Sequence, residues 1–212
     1  MALAIHEFPV VGDASRLLVL LHDHHCSDRS PSAIARAIDP DGRFRIVSLH
    51  ASAGNERLVG RCSYERSVDA SPDPERLSAQ AAAFNRTVEQ LAGHHGLAVG
   101  ASIFAGFCHG AGLAVTAAFC RPPCERPSAV AMLSGALPQI ECVEAGLRTG
   151  PWPKMLIQHG SLDPLVDVSE ARISGELLTE HGLDVTFAEY PIGHEMTEES
   201  MVDLGRWLAT VA

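Results

Sequence analysis

Gly106-Phe107-Cys108-His109-Gly110 is the stretch on which the reading of this chain turns. It follows the apolar run Ile103-Phe104-Ala105 and opens the alanine-rich segment 111–120. That order predicts a strand, a sharp turn and a helix. The spacing is that of the G-x-S-x-G turn, with cysteine in place of serine. Glycines two residues to either side let the strand and the following helix pass without a Cβ clash. The helix start aims its first N–H groups, and the positive end of its dipole, at whatever the turn carries. With 18 glycines and 6 cysteines in 212 residues, chance supplies the pentapeptide about 0.04 times, so its flanking context has to carry the rest of the reading. A thiol in that position reads as a nucleophile directed at an acyl carbon.

The segments to either side repeat the alternation. Apolar runs at 17–21, 44–49, 102–107, 129–133 and 155–158 predict buried strands, and 185–190 alternates as a further strand. Helices are predicted near 32–38, over 74–91, over 168–181 with Gly182 ending it, and over 198–210. In 74–91, proline stands near the start, and Leu77, Ala81, Phe84, Val88 and Leu91 fall at spacings of three and four. Strands separated by helices predict a mostly parallel sheet covered on both faces, with its site at the carboxyl ends of the strands. The length suits one domain over residues 1–212. Residues 51–74, with Arg61-Cys62-Ser63-Tyr64-Glu65-Arg66 inside, read as a long irregular loop that either covers a substrate cleft or is simply solvated.

A net charge of −10, without a basic stripe, argues against nucleic acid and against an anionic membrane surface. No apolar run reaches the length of a spanning helix. The first residues lack a basic segment followed by an apolar core, which points to a cytoplasmic protein. On the same reasoning the six cysteines, Cys26, Cys62, Cys108, Cys120, Cys124 and Cys142, are expected as free thiols. Cys120 and Cys124 alone make a poor zinc site.

A nucleophile of this kind needs a base, and the base needs an orienting acid. Asp163 lies in His159-Gly160-Ser161-Leu162-Asp163-Pro164, just beyond one predicted strand. His194 lies in Pro191-Ile192-Gly193-His194, just beyond another. Both loops should converge on the edge that carries Cys108. The order nucleophile, acid, histidine is that of one large fold.

Four stretches carry a resemblance over nearly the whole chain. They are Leu18-Val19-Leu20-Leu21-His22, the Gly106–Gly110 turn, Met132-Leu133-Ser134-Gly135, and the pair His159 to Val166 with Tyr190 to His194. In these the chain resembles the phospholipase/carboxylesterase group of α/β-hydrolases and, in its cysteine, the dienelactone hydrolases. The resemblance implies an α/β-hydrolase fold without a lid domain, and a homodimer. It implies that Cys108 is nucleophile, His194 base and then acid, and Asp163 the orienter. The oxyanion would be held by the backbone N–H groups of His109 and His24. The family has glycine where this chain has Asp23, and a carboxylate there would oppose negative charge. Tyr64 and Leu165 are expected to touch substrate.

The reaction so implied is hydrolysis of a carboxylic ester, lactone or thioester, without a cofactor. Two other readings stand beside it. His22, Asp23, His24, His25, Cys26 and Asp28 form a dense run of metal-ligand types. His50, His109, His159 and His194 should gather at the same edge, so a metal-binding protein on this scaffold is one alternative. A hydrolase fold retained only for binding is the other.

Overall fold

The computed structural model describes residues 3–10, 14–21, 31–51 and 73–212. These form a seven-stranded sheet in the order β1-β3-β2-β4-β5-β6-β7. The strands are β1 (Leu3–Glu7), β2 (Arg16–Leu21), β3 (Phe44–Ala51), β4 (Ile103–Phe107), β5 (Ala129–Leu133), β6 (Lys154–Gly160) and β7 (Val185–Tyr190). Only β1 runs antiparallel, pairing Ile5 with Leu49 at the edge beside β3. From β2 the chain steps outward to β3 and then back across to β4. The strand order therefore reverses between β2 and β4, the kind of crevice where open α/β sheets place their sites.

Six α-helices are described: α1 (Pro31–Ile38), α2 (Pro74–His94), α3 (His109–Phe119), α4 (Glu141–Leu147), α5 (Val168–Glu180) and α6 (Glu198–Val211). The strand period of two sends alternate residues of each strand to opposite faces. Leu17, Val19 and Leu21 join Phe104, Met132 and Ile157 under α2 to α5. Leu18 and Leu20 join Ile103, Ala105, Ala131 and Leu156 under α1 and α6. With no polar face, β2, β4 and β5 are continuous apolar runs, as the central strands of a parallel sheet should be. Among the described residues no lid domain interrupts this arrangement.

Helix starts follow side-chain chemistry. Asp73 accepts from the Glu75 amide at 3.0 Å ahead of Pro74, and Asp167 accepts from the Ser169 amide at 2.8 Å. Thr197 and Ser200 form a reciprocal capping box at α6. Gly182, with φ of 87°, turns the chain after α5 as expected.

Two sequence expectations need correction or addition. Cys120 and Cys142 are joined in a disulfide rather than free. The expectation came from compartment and chain length, whereas the fold brings the end of α3 and the start of α4 to a Cα–Cα separation of 5.1 Å. Cys108 and Cys124 are free thiols, and Cys26 and Cys62 lie outside the described residues. β1 and α4 were not foreseen: five and seven residues are too short for a periodic signal to stand out. The irregular segment predicted at 51–74 lies outside the described residues except at its two ends.

Candidate active site

The turn after β4 is the elbow that the glycines foretold. Cys108 has φ of 57° and ψ of −120°, a conformation that L-residues rarely hold. A Cβ on Gly106 would collide with the backbone carbonyl of Gly110, and one on Gly110 with the carbonyl of Leu21. The strand, the turn and the neighbouring β2 are thus in backbone contact, which only glycine permits. Two further bonds hold the turn: the Cys108 amide donates to Leu133 O at 2.9 Å, and the Ala111 amide to Cys108 O at 3.0 Å. The stretch Ser134-Gly135 runs directly beside it, since a Cβ on Gly135 would lie 3.0 Å from Cys108 O. His109 is the first residue of α3, so its amide belongs to the set that faces out along the helix axis. Cys108 itself is 5% exposed and borders the core beneath α1 and α6.

The acid and the histidine arrive on two loops that are bound to each other. The Ser161 amide donates to Tyr190 O at 2.7 Å, and the Leu162 amide to Ile192 O at 3.0 Å. A Cβ on Gly160 would strike the carbonyls of Ile192 and Gly193, so this approach also requires glycine. Strands lie about 4.8 Å apart, which puts the end of β7 roughly 14 Å from that of β4. The 191–197 connection turns back across that gap. It brings the ring of His194 to 4.9 Å from the ring of Phe107, the residue next to Cys108.

Asp163 is the best-held side chain of the site. Its Oδ1 accepts from the amides of Leu165 at 2.8 Å and Val166 at 3.0 Å. Its Oδ2 accepts from Nδ1 of His194 at 2.7 Å. The carboxylate is 0% exposed and the His194 side chain 6%. Because a carboxylate here only accepts, His194 Nδ1 must carry the proton, which leaves Nε2 with its lone pair. An imidazole held that way can take a proton at Nε2 and pass it on. Farther out, Asp167 is held below the ordinary carboxylate range, first by the backbone bond from Ser169.

The two partners predicted for the cysteine are therefore hydrogen-bonded to each other and reach the elbow through Phe107. Leu165 lies on the acid loop and is 38% exposed, near Leu162 at 68%. Tyr64, His24 and the His22–Asp28 run, with Asp23, lie outside the described residues, as does the side chain of His50. His109 is exposed at the helix start. Among the described residues no group of three His, Cys, Asp or Glu side chains is arranged as a metal site, and no helix is long and apolar enough to cross a membrane.

One site feature was missed. His159, read only as a possible metal ligand, has Nε2 at 3.4 Å from Asp163 Oδ2. Its position four residues before the acid, at the end of a strand, was the available signal.

The profile of the phospholipase/carboxylesterase family matches residues 13–212 of the chain. Among solved structures, the esterase PE8 superposes with a TM-score of 0.80 at 22% identity, covering all of both chains. A carboxylesterase from Bacillus cereus superposes at 0.75 with 17% identity, over 99% of this chain and 94% of its own. Acyl-protein thioesterase 2 from Zea mays superposes at 0.71 with 20% identity, over 98% of each. At these identities the likeness is one of fold.

Proposed function

From the premise that the chain belongs to the phospholipase/carboxylesterase family, and is a carboxylic ester hydrolase, we propose that it cleaves esters or thioesters through Cys108, His194 and Asp163. The observation that carries this reading is the His194 Nδ1 to Asp163 Oδ2 bond of 2.7 Å, between nearly covered side chains, with the imidazole against the residue preceding a strained cysteine. The conformation of Cys108 costs free energy that a merely structural cysteine would have no reason to demand.

In this mechanism Nε2 of His194 takes the thiol proton as the Cys108 sulfur bonds to the carbonyl carbon. The carbonyl π electrons move to oxygen, where the amides of His109 and His24 donate to the oxyanion. The adduct collapses, the alkoxide or thiolate leaves, and His194 returns the proton to it. Water then attacks the thioester, giving its proton to His194, and the acid and the free thiol are released. Asp163 stays ionised throughout, orienting the ring and facing the imidazolium. Amides fit less well, because a thiolate leaves the adduct more readily than an amine and the adduct reverts. Leu162 and Leu165 supply apolar surface beside the acid loop, which favours an apolar acyl group. Asp23 adjoins the second oxyanion donor, and a carboxylate turned toward it would slow the reaction.

The test uses short p-nitrophenyl esters and acyl thioesters, in a Cys26→Ser, Cys62→Ser, Cys124→Ser background, because Cys124 is an exposed free thiol and Cys26 and Cys62 are expected to be free. Cys108→Ala is expected to abolish turnover and the covalent iodoacetamide adduct while leaving the melting temperature unchanged. Wild-type turnover in Cys108→Ala would refute the assignment.

A further inference from the structure

We propose that His159 is a positioning residue: its Nε2–H helps to fix the Asp163 carboxylate against which His194 is oriented. The inference rests on the triad reading above and adds a fourth side chain to it.

His159 closes β6 and is 1% exposed. Its Nε2 lies 2.9 Å from Val166 O and 3.4 Å from Asp163 Oδ2. The Val166 carbonyl only accepts, so Nε2 must be the protonated nitrogen; its hydrogen bond goes to that carbonyl, with Asp163 Oδ2 beside it at 3.4 Å. Neutral imidazole then keeps a lone pair on Nδ1. That atom has no protein partner among the described residues. The ring lines a cavity of about 10 Å³ with Gln158, Tyr190 and Ser200, room for about one water.

A residue chosen for packing alone would not be a histidine here. A buried acceptor without a protein donor is a cost that leucine or methionine would avoid. What the imidazole contributes, and an aliphatic chain cannot, is the donor at Nε2. Among the described residues, Asp163 Oδ1 accepts from the two amides of its own loop, while Oδ2 accepts from His194, with His159 Nε2 lying 3.4 Å away. His159 also holds the Val166 carbonyl, whose amide is one of the Oδ1 donors. One buried ring thus holds the peptide segment that binds Oδ1 and lies beside Oδ2. Without that ring the carboxylate can turn about its Cβ–Cγ bond, and the His194 ring turns with it.

The experiment compares His159→Leu with His159→Gln, whose amide nitrogen reaches the place of Nε2. Melting temperatures confirm that each variant is folded. In His159→Leu, kcat should fall about 10- to 100-fold with KM within about threefold, the effect of loosened orientation. His159→Gln should recover most of the rate. In an Asp163→Asn background, His159→Leu should cost less than about threefold, because the two act through one another. In the resting protein, the low-field proton resonance of His194 Nδ1–H should shift or broaden in His159→Leu and persist in His159→Gln. Wild-type kcat in His159→Leu, equal losses in both variants, or an undiminished loss in the Asp163→Asn background would each overturn the inference. A wild-type protein without ester or thioester turnover would overturn the hydrolytic reading instead. The His194 resonance, which needs no turnover, would then decide the role of His159.

Discussion

Replacing Asp163 by asparagine tests the acid–base half of the site with the least change in shape. The loop fixes which way the amide must point. Two backbone N–H groups, of Leu165 and Val166, meet Oδ1 at 2.8 and 3.0 Å, so the asparagine carbonyl has to take that place. Its NH2 group then stands where Oδ2 was, 2.7 Å from His194 Nδ1. An NH2 only donates, and His194 answers by presenting a lone pair at Nδ1 and moving its proton to Nε2. Nε2 is the atom that must accept the thiol proton, so the bound tautomer is the inactive one. The analogous change in a serine protease triad lowers kcat about 10⁴-fold, and about 1.4 kcal/mol per decade makes that about 5 kcal/mol of barrier. KM should move little, because the carboxylate is fully covered and does not meet substrate. The measurement is steady-state hydrolysis of a p-nitrophenyl ester, with circular dichroism to confirm the fold. A folded Asp163→Asn enzyme that loses less than tenfold in kcat would show that the carboxylate does not set the tautomer.

Two further outcomes are expected. Gly106→Ala places a methyl group into the Gly110 carbonyl, and because the obstacle is backbone, the elbow must open. Overpacking of this kind costs about 1–3 kcal/mol, or about 3–10 °C in melting temperature for a chain of this size. Gly112→Ala meets only Pro138 Cγ, at 3.4 Å, and should melt with the wild type; equal effects from both in a thermal melt would contradict the close-approach argument. Tyr190 is held as the neutral phenol, its pKa raised from 10.0 to about 12, chiefly by burial and then by Asp203. The folded state thus keeps a proton that the unfolded chain loses near pH 10, so this contribution to stability is complete below pH 10 and disappears as the pH rises toward 12. Tyr190→Phe should flatten the decline of urea stability over that window, and an unchanged slope would count against it.

The apolar and glycine patterns made most of the fold legible before any coordinates. β2, β4 and β5 are buried on both faces, so their sequences are unbroken apolar runs and could be read as strands without knowing their neighbours. The elbow was legible because its geometry excludes side chains at two fixed positions. Asp163 and His194 were legible from chain order and from their places after strands, since loops at one sheet edge are the only segments that can converge. What escaped was pairwise proximity. Nothing in the local sequence says that residue 120 meets residue 142, and the one cue to His159, its place four residues before the acid at a strand's end, does not say that its ring turns toward Asp163. Those contacts arise from how α3 meets α4 and how the acid loop folds back over β6, which no periodicity encodes. β1 escaped for a related reason: an exposed edge strand of five residues, Leu-Ala-Ile-His-Glu, carries little alternation.

The site is assembled from two pieces, the elbow and the paired acid and histidine loops, on the same sheet. The elbow is bound to the sheet, through the Cys108 amide to Leu133 and the glycine contacts with Leu21. The acid and histidine loops are bound to each other, through Ser161 to Tyr190 and Leu162 to Ile192, and to the start of α6 by its capping box. The two meet where the rings of Phe107 and His194 touch. A change of nucleophile therefore alters one piece without reshaping the other. Sulfur is larger than oxygen, and the 2.7 Å bond between His194 and Asp163 lies on the other piece. The substitution then acts on the chemistry rather than on the fold. A thiolate is a better leaving group than an alkoxide, so each tetrahedral adduct partitions toward return unless the departing group leaves at least as readily. On the proposed Cys108 mechanism thioesters and activated esters meet that condition unaided, whereas an amide needs its nitrogen protonated by His194 as it leaves. If Cys108 is the nucleophile, as proposed, the elbow that displays the sulfur favours substrates whose leaving group departs readily.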